Sequence, residues 1–403
     1  MNFSIEDLGL AYRKAKVDLY YSSHSSLLAI ADYENQLMDR LQSLLTQLNG
    51  ADEEWVKTDI FLGNWFLTPK SIEPPDIGEQ GNGLVFASPV AKWQHICDHA
   101  ALIDITNKPR AEFRLMAQCS LDFHVLSTLW MIKVGQQYDK RLSGCAYGNR
   151  LRRGQDGNVN PLSFGSFKPY LKPFRDWRDG GIEAMRSSLE QGKNVIALTA
   201  DVTSFYHELN PDFMLDDAFN QLFDIKLSDD EQKLHRLFIS ALQTWAKKTP
   251  LGKGLPVGLP ASAVVANMAL IELDRLIERQ VVPLYYGRYV DDILLVMENG
   301  ANFHSTDELW TWLFERSNGK LGWIEGNGQK KIRYRPDYLD DSQMCFANDK
   351  NKAFLLEGET GQTLVDSISH QIHLRASEWR AMPNLPTSAR YVGTDLIAAT
   401  QSD

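Results

Sequence analysis

Between Leu284 and Val296, aromatic and β-branched residues crowd around two adjacent carboxylates, Asp291 and Asp292. Residues of that kind suit a pleated surface, and the acidic pair falls where a tight turn between two strands belongs. Neighbouring like charges in such a turn repel unless a cation compensates them. A hairpin whose tip calls for a divalent metal satisfies both constraints. Upstream, the apolar run Val195–Ala200 ends in Asp201, the pattern of a buried strand. If both strands lie in one sheet, Asp201 and Asp291 share its edge, the arrangement by which paired Mg2+ ions stabilise attacking and leaving oxygens in phosphoryl transfer. Read alone, each piece is more simply a solvated turn or strand end.

The 403 residues are enough for two or three domains. With 43% hydrophobic and 23% charged residues, the composition is that of a globular protein. A net charge of −10 argues against a chain that coats nucleic acid indiscriminately, so any polyanion must meet a local basic surface. Lys133–Arg178 offers one, with ten basic residues against three acidic ones. Tyr147, Phe164, Phe167, Tyr170, Phe174 and Trp177 run through it. Cations mixed with flat rings suit a backbone of phosphates with stacked bases, although a solvated basic region with its own small core has the same composition. Cys97, Cys119, Cys145 and Cys345 form no CxxC pair, which fits a reducing, cytoplasmic location. The start of the chain has no signal-peptide apolar core, and the longest uncharged run, Gly254–Ile271, is interrupted by prolines, so no membrane span is expected.

Helical spacing of apolar residues predicts two helices between Ile5 and Leu48, ending at Asn49-Gly50. Prolines and glycines mark Pro69–Gly83 as a loop, and a helix is expected from Ala111 to Val134. Further helices are expected from Pro211 and over Ser228–Lys247. A Gly/Pro-rich loop, Gly252–Pro260, should feed another over Ala261–Glu278.

The stretch Asp201-Val-Thr-Ser-Phe-Tyr206, then Leu255-Pro-Val-Gly-Leu-Pro-Ala-Ser262 with Ala266-Asn267 and Leu273-Asp274, then Tyr289-Val-Asp-Asp292, resembles motifs A, B and C of the reverse transcriptases, in that family's order. The resemblance implies an α+β, right-hand polymerase. A helical N-terminal region (1–110) would precede basic, aromatic fingers (111–194), a palm carrying the three motifs (195–345) and a short helical, thumb-like C-terminal region (346–403). It implies that Asp201, Asp291 and Asp292 are the catalytic and metal-ligating carboxylates, holding two Mg2+ ions that Mn2+ can replace. Tyr206 matches the bulky residue beside the sugar 2′ position, which would favour dNTPs, with Phe205 next to it. Pro256, Val257, Gly258 and Ser262 would form the loop under the nucleotide, and Tyr289 belongs to the same surface. Val257 stands where the family usually has glutamine, which removes one polar contact. Arg152 and Arg153 are the expected triphosphate contacts because Arg grips phosphate in bidentate fashion, and Lys330 matches the lysine near the leaving pyrophosphate.

Only about 60 residues follow the palm, which leaves no room for an RNase H domain or endonuclease. The chain is therefore most similar to bacterial defence-associated, abortive-infection reverse transcriptases, in particular the second enzyme of two-polymerase antiphage systems. That likeness implies nucleic-acid partners (a noncoding RNA template, a DNA product), a possible partner reverse transcriptase, a homo-oligomer, and priming from a tyrosine such as Tyr20 or Tyr21. The alternative is a catalytically weak scaffold of the same fold that binds RNA or a partner protein. His95 and His99 have the spacing of a zinc pair, but no third ligand is evident, and Ser377–Pro383 is distinctive without pointing to chemistry.

Overall fold

Three amphipathic helices open the chain in the computed structural model, which describes residues 3–20, 26–73, 90–91, 93–94, 110–326, 329–339, 342, 344–346 and 351–378. His95, His99, Tyr21 and most of Ser377–Pro383 lie outside the described residues. Helix α1 (Ile5–Tyr20) buries Leu8, Ala11, Ala15 and Leu19, and α3 (Leu37–Asn49) buries Leu41, Leu44 and Leu48. Between them, Ser26 caps a separate helix, α2 (Leu27–Asn35), by accepting from the Ala29 amide, so three helices stand where two were expected. Strand β1 (Asn64–Glu73) then runs through Pro69, where a loop was expected, and forms a two-stranded sheet with β2 (Arg110–Gln118). The helix expected from Ala111 begins only at Leu121, where Ser120 accepts from the Phe123 amide, and past Trp130 it continues through a π-helical turn (Met131–Gly135) to Asp139. Ala, Glu, Leu and Met in β2 favour a helix, yet pairing with β1 overrides that weak local preference.

The chain divides into two compact units: Met1–Trp65 with Ala117–Ser367, and Phe66–Met116 with Ile368–Asp403. In the larger unit, the Leu121–Trp130 helix packs against α1 and against Asp229–Lys248, a helix closed by a Ser228/Glu231 capping box. Trp130 and Phe238 stack 4.3 Å apart in this core. From α1, the buried Lys14 ammonium donates to the Ser163 and Gly165 carbonyls at 3.2 and 3.0 Å, while Asp18 accepts from the Ser166 amide and hydroxyl. The N-terminal layer thus fastens the basic, aromatic segment to the rest of the unit.

Strands β3 (Val195–Asp201), β4 (Tyr285–Tyr289), β5 (Asp292–Glu298) and β9 (Lys352–Leu356) join in an antiparallel sheet of order β4-β5-β3-β9. Its outer member β9 comes from beyond the expected palm boundary at 345. The segment expected to be helical after that boundary therefore first gives a strand to the palm sheet, and its helix starts only at Gly358. The helix expected over Ala261–Glu278 is split at Leu270 into Ser262–Ala269 and Ile271–Leu276. A smaller sheet, β6 (Leu321–Gly326), β7 (Gln329–Tyr334) and β8 (Met344–Phe346), meets the chain just after β3 through the bridge Val202↔Phe346.

Candidate active site

The ladder between β3 and β5 ends on the pair Asp201↔Asp292, and the ladder between β4 and β5 ends on Tyr289↔Asp292. Only Val290 and Asp291 remain for the turn, so the hairpin expected from sequence brings Asp201 and the acidic pair to one sheet edge. Val290 takes φ 60°, a conformation that a β-branched residue resists unless its surroundings impose it.

Arg288 imposes it. This side chain is fully buried, and its NH1 group donates to the Val290 carbonyl at 3.0 Å. Its Nε lies 2.8 and 3.0 Å from the two Asp274 carboxylate oxygens, and its terminal nitrogens donate to the Asn267 side-chain and backbone oxygens at 2.7 and 3.0 Å. Tyr286 donates to the same Asp274 carboxylate at 2.8 Å. Burial works against the guanidinium charge, but Asp274 more than offsets it and holds Arg288 above its ordinary value. Asp274 stands in the Leu273-Asp274 motif, but nothing local in the chain pairs it with Arg288.

Asp291 is pushed up to about 7, first by burial, then by the charges of Asp201 and Asp292, with a hydrogen bond from Asp201 acting in the same direction. Asp292 is exposed beside this close pair. Among the described residues no group of three or more His, Cys, Asp or Glu side chains forms a ready-made metal cage. The donor set that is present consists of hard carboxylate oxygens, partly buried and close enough that their charges add to burial in raising Asp291. It fits a hard divalent cation such as Mg2+.

Behind the carboxylates, Ser204 adopts φ 51° and begins the turn that carries Phe205 and Tyr206. Phe205 is only 2% exposed and packs edge-on against Tyr206, so it supports the neighbouring ring from the core. Burial and the nearby Asp291 charge raise the Tyr206 hydroxyl above its ordinary value, with the Asn149 side chain acting in the opposite direction. The Gly/Pro loop lies alongside. Its Leu255 amide donates to the Tyr206 carbonyl at 2.6 Å, and the Val257 carbonyl accepts from the Ala117 amide at 2.7 Å. At Gly254 (φ 96°) any Cβ would stand 2.8 Å from the His207 carbonyl oxygen, so only glycine permits this approach. Pro256 is buried, Gly258 is exposed, and the buried Ser262 hydroxyl closes the loop by donating to the Pro256 carbonyl at 3.0 Å.

Tyr289 packs edge-on to Phe174 at 5.3 Å and near Trp177, which ties the acidic hairpin to the aromatic segment. Arg152 is exposed. Arg153 is instead committed to the buried Asp139, which also pairs with Arg150 at 3.0 Å. Lys330 lies on β7, 3.3 Å from Asp307 and 3.9 Å from the centre of the Trp323 ring. The structure therefore gathers the three aspartates, Tyr206 and the Leu255–Ser262 loop, while Arg153 and Lys330 find their partners elsewhere.

Over residues 106–317 the sequence matches the family described as reverse transcriptase (RNA-dependent DNA polymerase), a span of just over half the chain that contains every element of this site. No curated protein matches the chain. No helix among the described residues is long and apolar enough to cross a membrane.

Proposed function

Because the chain belongs to the reverse transcriptase family and is an RNA-directed DNA polymerase, we propose that Asp201, Asp291 and Asp292 carry its metal-dependent chemistry and that Tyr206 screens the incoming sugar. The observation that carries this reading is the register Asp201↔Asp292, which sets the carboxylates of two strands at one edge, where burial and then the neighbouring charges push Asp291 up to about 7. Two Mg2+ ions held there, or Mn2+ in their place, would supply activation of the primer hydroxyl and neutralise charge at the leaving pyrophosphate. The chain's own residues do the positioning. Arg288 fixes the hairpin turn through the Val290 carbonyl, and the Leu255–Ser262 loop forms a floor tied to Tyr206 through its backbone. The Tyr206 ring occupies the space a ribose 2′-hydroxyl would need, which selects dNTPs. Among the basic residues, the exposed Arg152 is the triphosphate contact, because Arg153 is bound to Asp139.

The biological setting we propose is bacterial antiphage defence, with DNA made on a noncoding RNA and with a partner reverse transcriptase or further copies of the chain. The helical N-terminal layer and Val257 in the altered loop support it. Purified protein given dNTPs and Mg2+, with its copurified nucleic acid, should make DNA, and Asp291→Asn should abolish synthesis. An equal yield from the variant refutes the metal assignment, and phage protection that persists in an Asp291→Asn strain refutes a catalytic role in defence.

A further inference from the structure

We propose that Asn267 is a positioning residue for the metal-binding turn: it latches the buried Gly148, in the basic segment, against Val290 and so fixes where Asp291 stands. The inference rests on the reading of Asp291 as a metal ligand and adds a segment from outside the three motifs on which the placement of that ligand depends.

Strand β4 lies at the edge of the palm sheet, and the basic segment pairs with it there in parallel through the bridge Ala146↔Arg288. The Tyr147 amide donates to the Arg288 carbonyl at 2.9 Å, and the Arg288 amide donates to the Cys145 carbonyl at 2.8 Å. Two residues further along each chain, Gly148 meets Val290. A Cβ on Gly148 would stand 2.7 Å from the Val290 amide nitrogen and 2.9 Å from its side chain, so glycine is what lets the segment lie this close. Asn267, only 1% exposed, holds it in place. Its Nδ2 donates to the Gly148 and Asn149 carbonyls at 3.0 and 3.3 Å, and its Oδ1 accepts from Arg288 at 2.7 Å. One amide thus spends its donor on the basic segment and its acceptor on the guanidinium that grips the Val290 carbonyl. A carboxylate or an aliphatic side chain cannot do both.

The turn is supported on both sides of Val290. At φ 60° a β-branched residue is in a conformation it abandons unless it is held. Arg288 holds the Val290 carbonyl, and Gly148 bears on the Val290 amide. Asp291 is the next residue, so relaxation of Val290 displaces its carboxylate. A cation shared by carboxylates of two strands is held less tightly when one of them moves, because coordination needs oxygens at defined distances. Loss of one hydrogen-bonded support of this kind corresponds to a change in binding of about three- to tenfold.

The test uses full-length protein and Mn2+ binding measured by electron paramagnetic resonance, a readout independent of turnover, together with the Mg2+ dependence of DNA synthesis from oligo(dT) on poly(rA). Asn267→Asp keeps the size of the side chain and the acceptor for Arg288, but it replaces the donor with an oxygen that repels the two carbonyls. Gly148→Ala disturbs the same contact from the other side. Each should weaken Mn2+ binding by about three- to tenfold, raise the Mg2+ concentration for half-maximal synthesis by a similar factor, and leave KM for the primer-template unchanged. Phe238→Leu, in the helical core, should lower the melting temperature and change neither metal readout. If either Asn267→Asp or Gly148→Ala binds Mn2+ as the wild type does while Asp291→Asn loses it, the contacts are structural only and the positioning role is overturned. If Asp291→Asn binds Mn2+ as the wild type does, the metal reading fails and the positioning role falls with it.

Discussion

Replacing Asp291 by asparagine should stabilise the metal-free protein at alkaline pH while it abolishes DNA synthesis. Burial and the Asp201 and Asp292 charges move Asp291 from 3.8 to about 7. A rise of about three units corresponds to ~4 kcal/mol between the protonated and ionised forms. Burial is the larger part of this, and solvent around the exposed Asp292 screens the repulsive part, so about 2–3 kcal/mol is the size to look for. The sign follows from which state holds the proton more tightly. The folded state does, so the stability linked to protonated Asp291 is complete below about pH 4, falls as pH rises, and is gone above about pH 7. Asparagine has no proton to lose and escapes this decline. Urea denaturation in EDTA, at pH 5 and pH 8, should show the variant's advantage over the wild type growing by about 2 kcal/mol at the higher pH. Adding Mg2+ at pH 8 should close the gap from the wild-type side, because a bound cation stabilises the state that binds it. An advantage that is absent, or identical at the two pH values, would show that Asp291 is neither desolvated nor crowded by its neighbours and would refute the reasoning.

Removal of the guanidinium by Arg288→Met leaves the Asp274 carboxylate buried without its cation and the Val290 carbonyl without its donor, so a loss of about 3–5 kcal/mol is expected in urea denaturation. A loss below about 1 kcal/mol would mean that the pair is solvated. Gly254→Ala places a methyl group against the His207 carbonyl and should lower stability by about 2 kcal/mol or more, together with DNA synthesis, as read by thermal melting and primer extension. His124 and His235 are both held down to about 4 by burial, and His235 accepts from Trp130 Nε1 at 3.0 Å. Their contribution is present above about pH 6.5 and is lost as pH falls toward 4, so melting temperature should drop through that window, and the drop should be shallower in His235→Gln.

The order of the three motifs and the aromatic and β-branched residues around Asp291 were legible in the chain itself, because a hairpin and its carboxylates are specified by residues that are neighbours in sequence. The same holds for the Asp229–Lys248 helix, whose cap and periodicity are local. Local preference failed where distant strands decided the outcome: Ala111–Gln118 pairs instead of coiling, and Lys352–Leu356 joins the palm sheet across more than 150 residues. The role of Arg288 was equally out of reach. Its side chain is defined by Asp274, Asn267 and the Val290 carbonyl, and only packing brings these together. Sequence therefore determined which groups could do the chemistry. Tertiary structure decided what holds them, because a buried charge is stable only beside partners that the fold, and no local pattern, puts within hydrogen-bond reach.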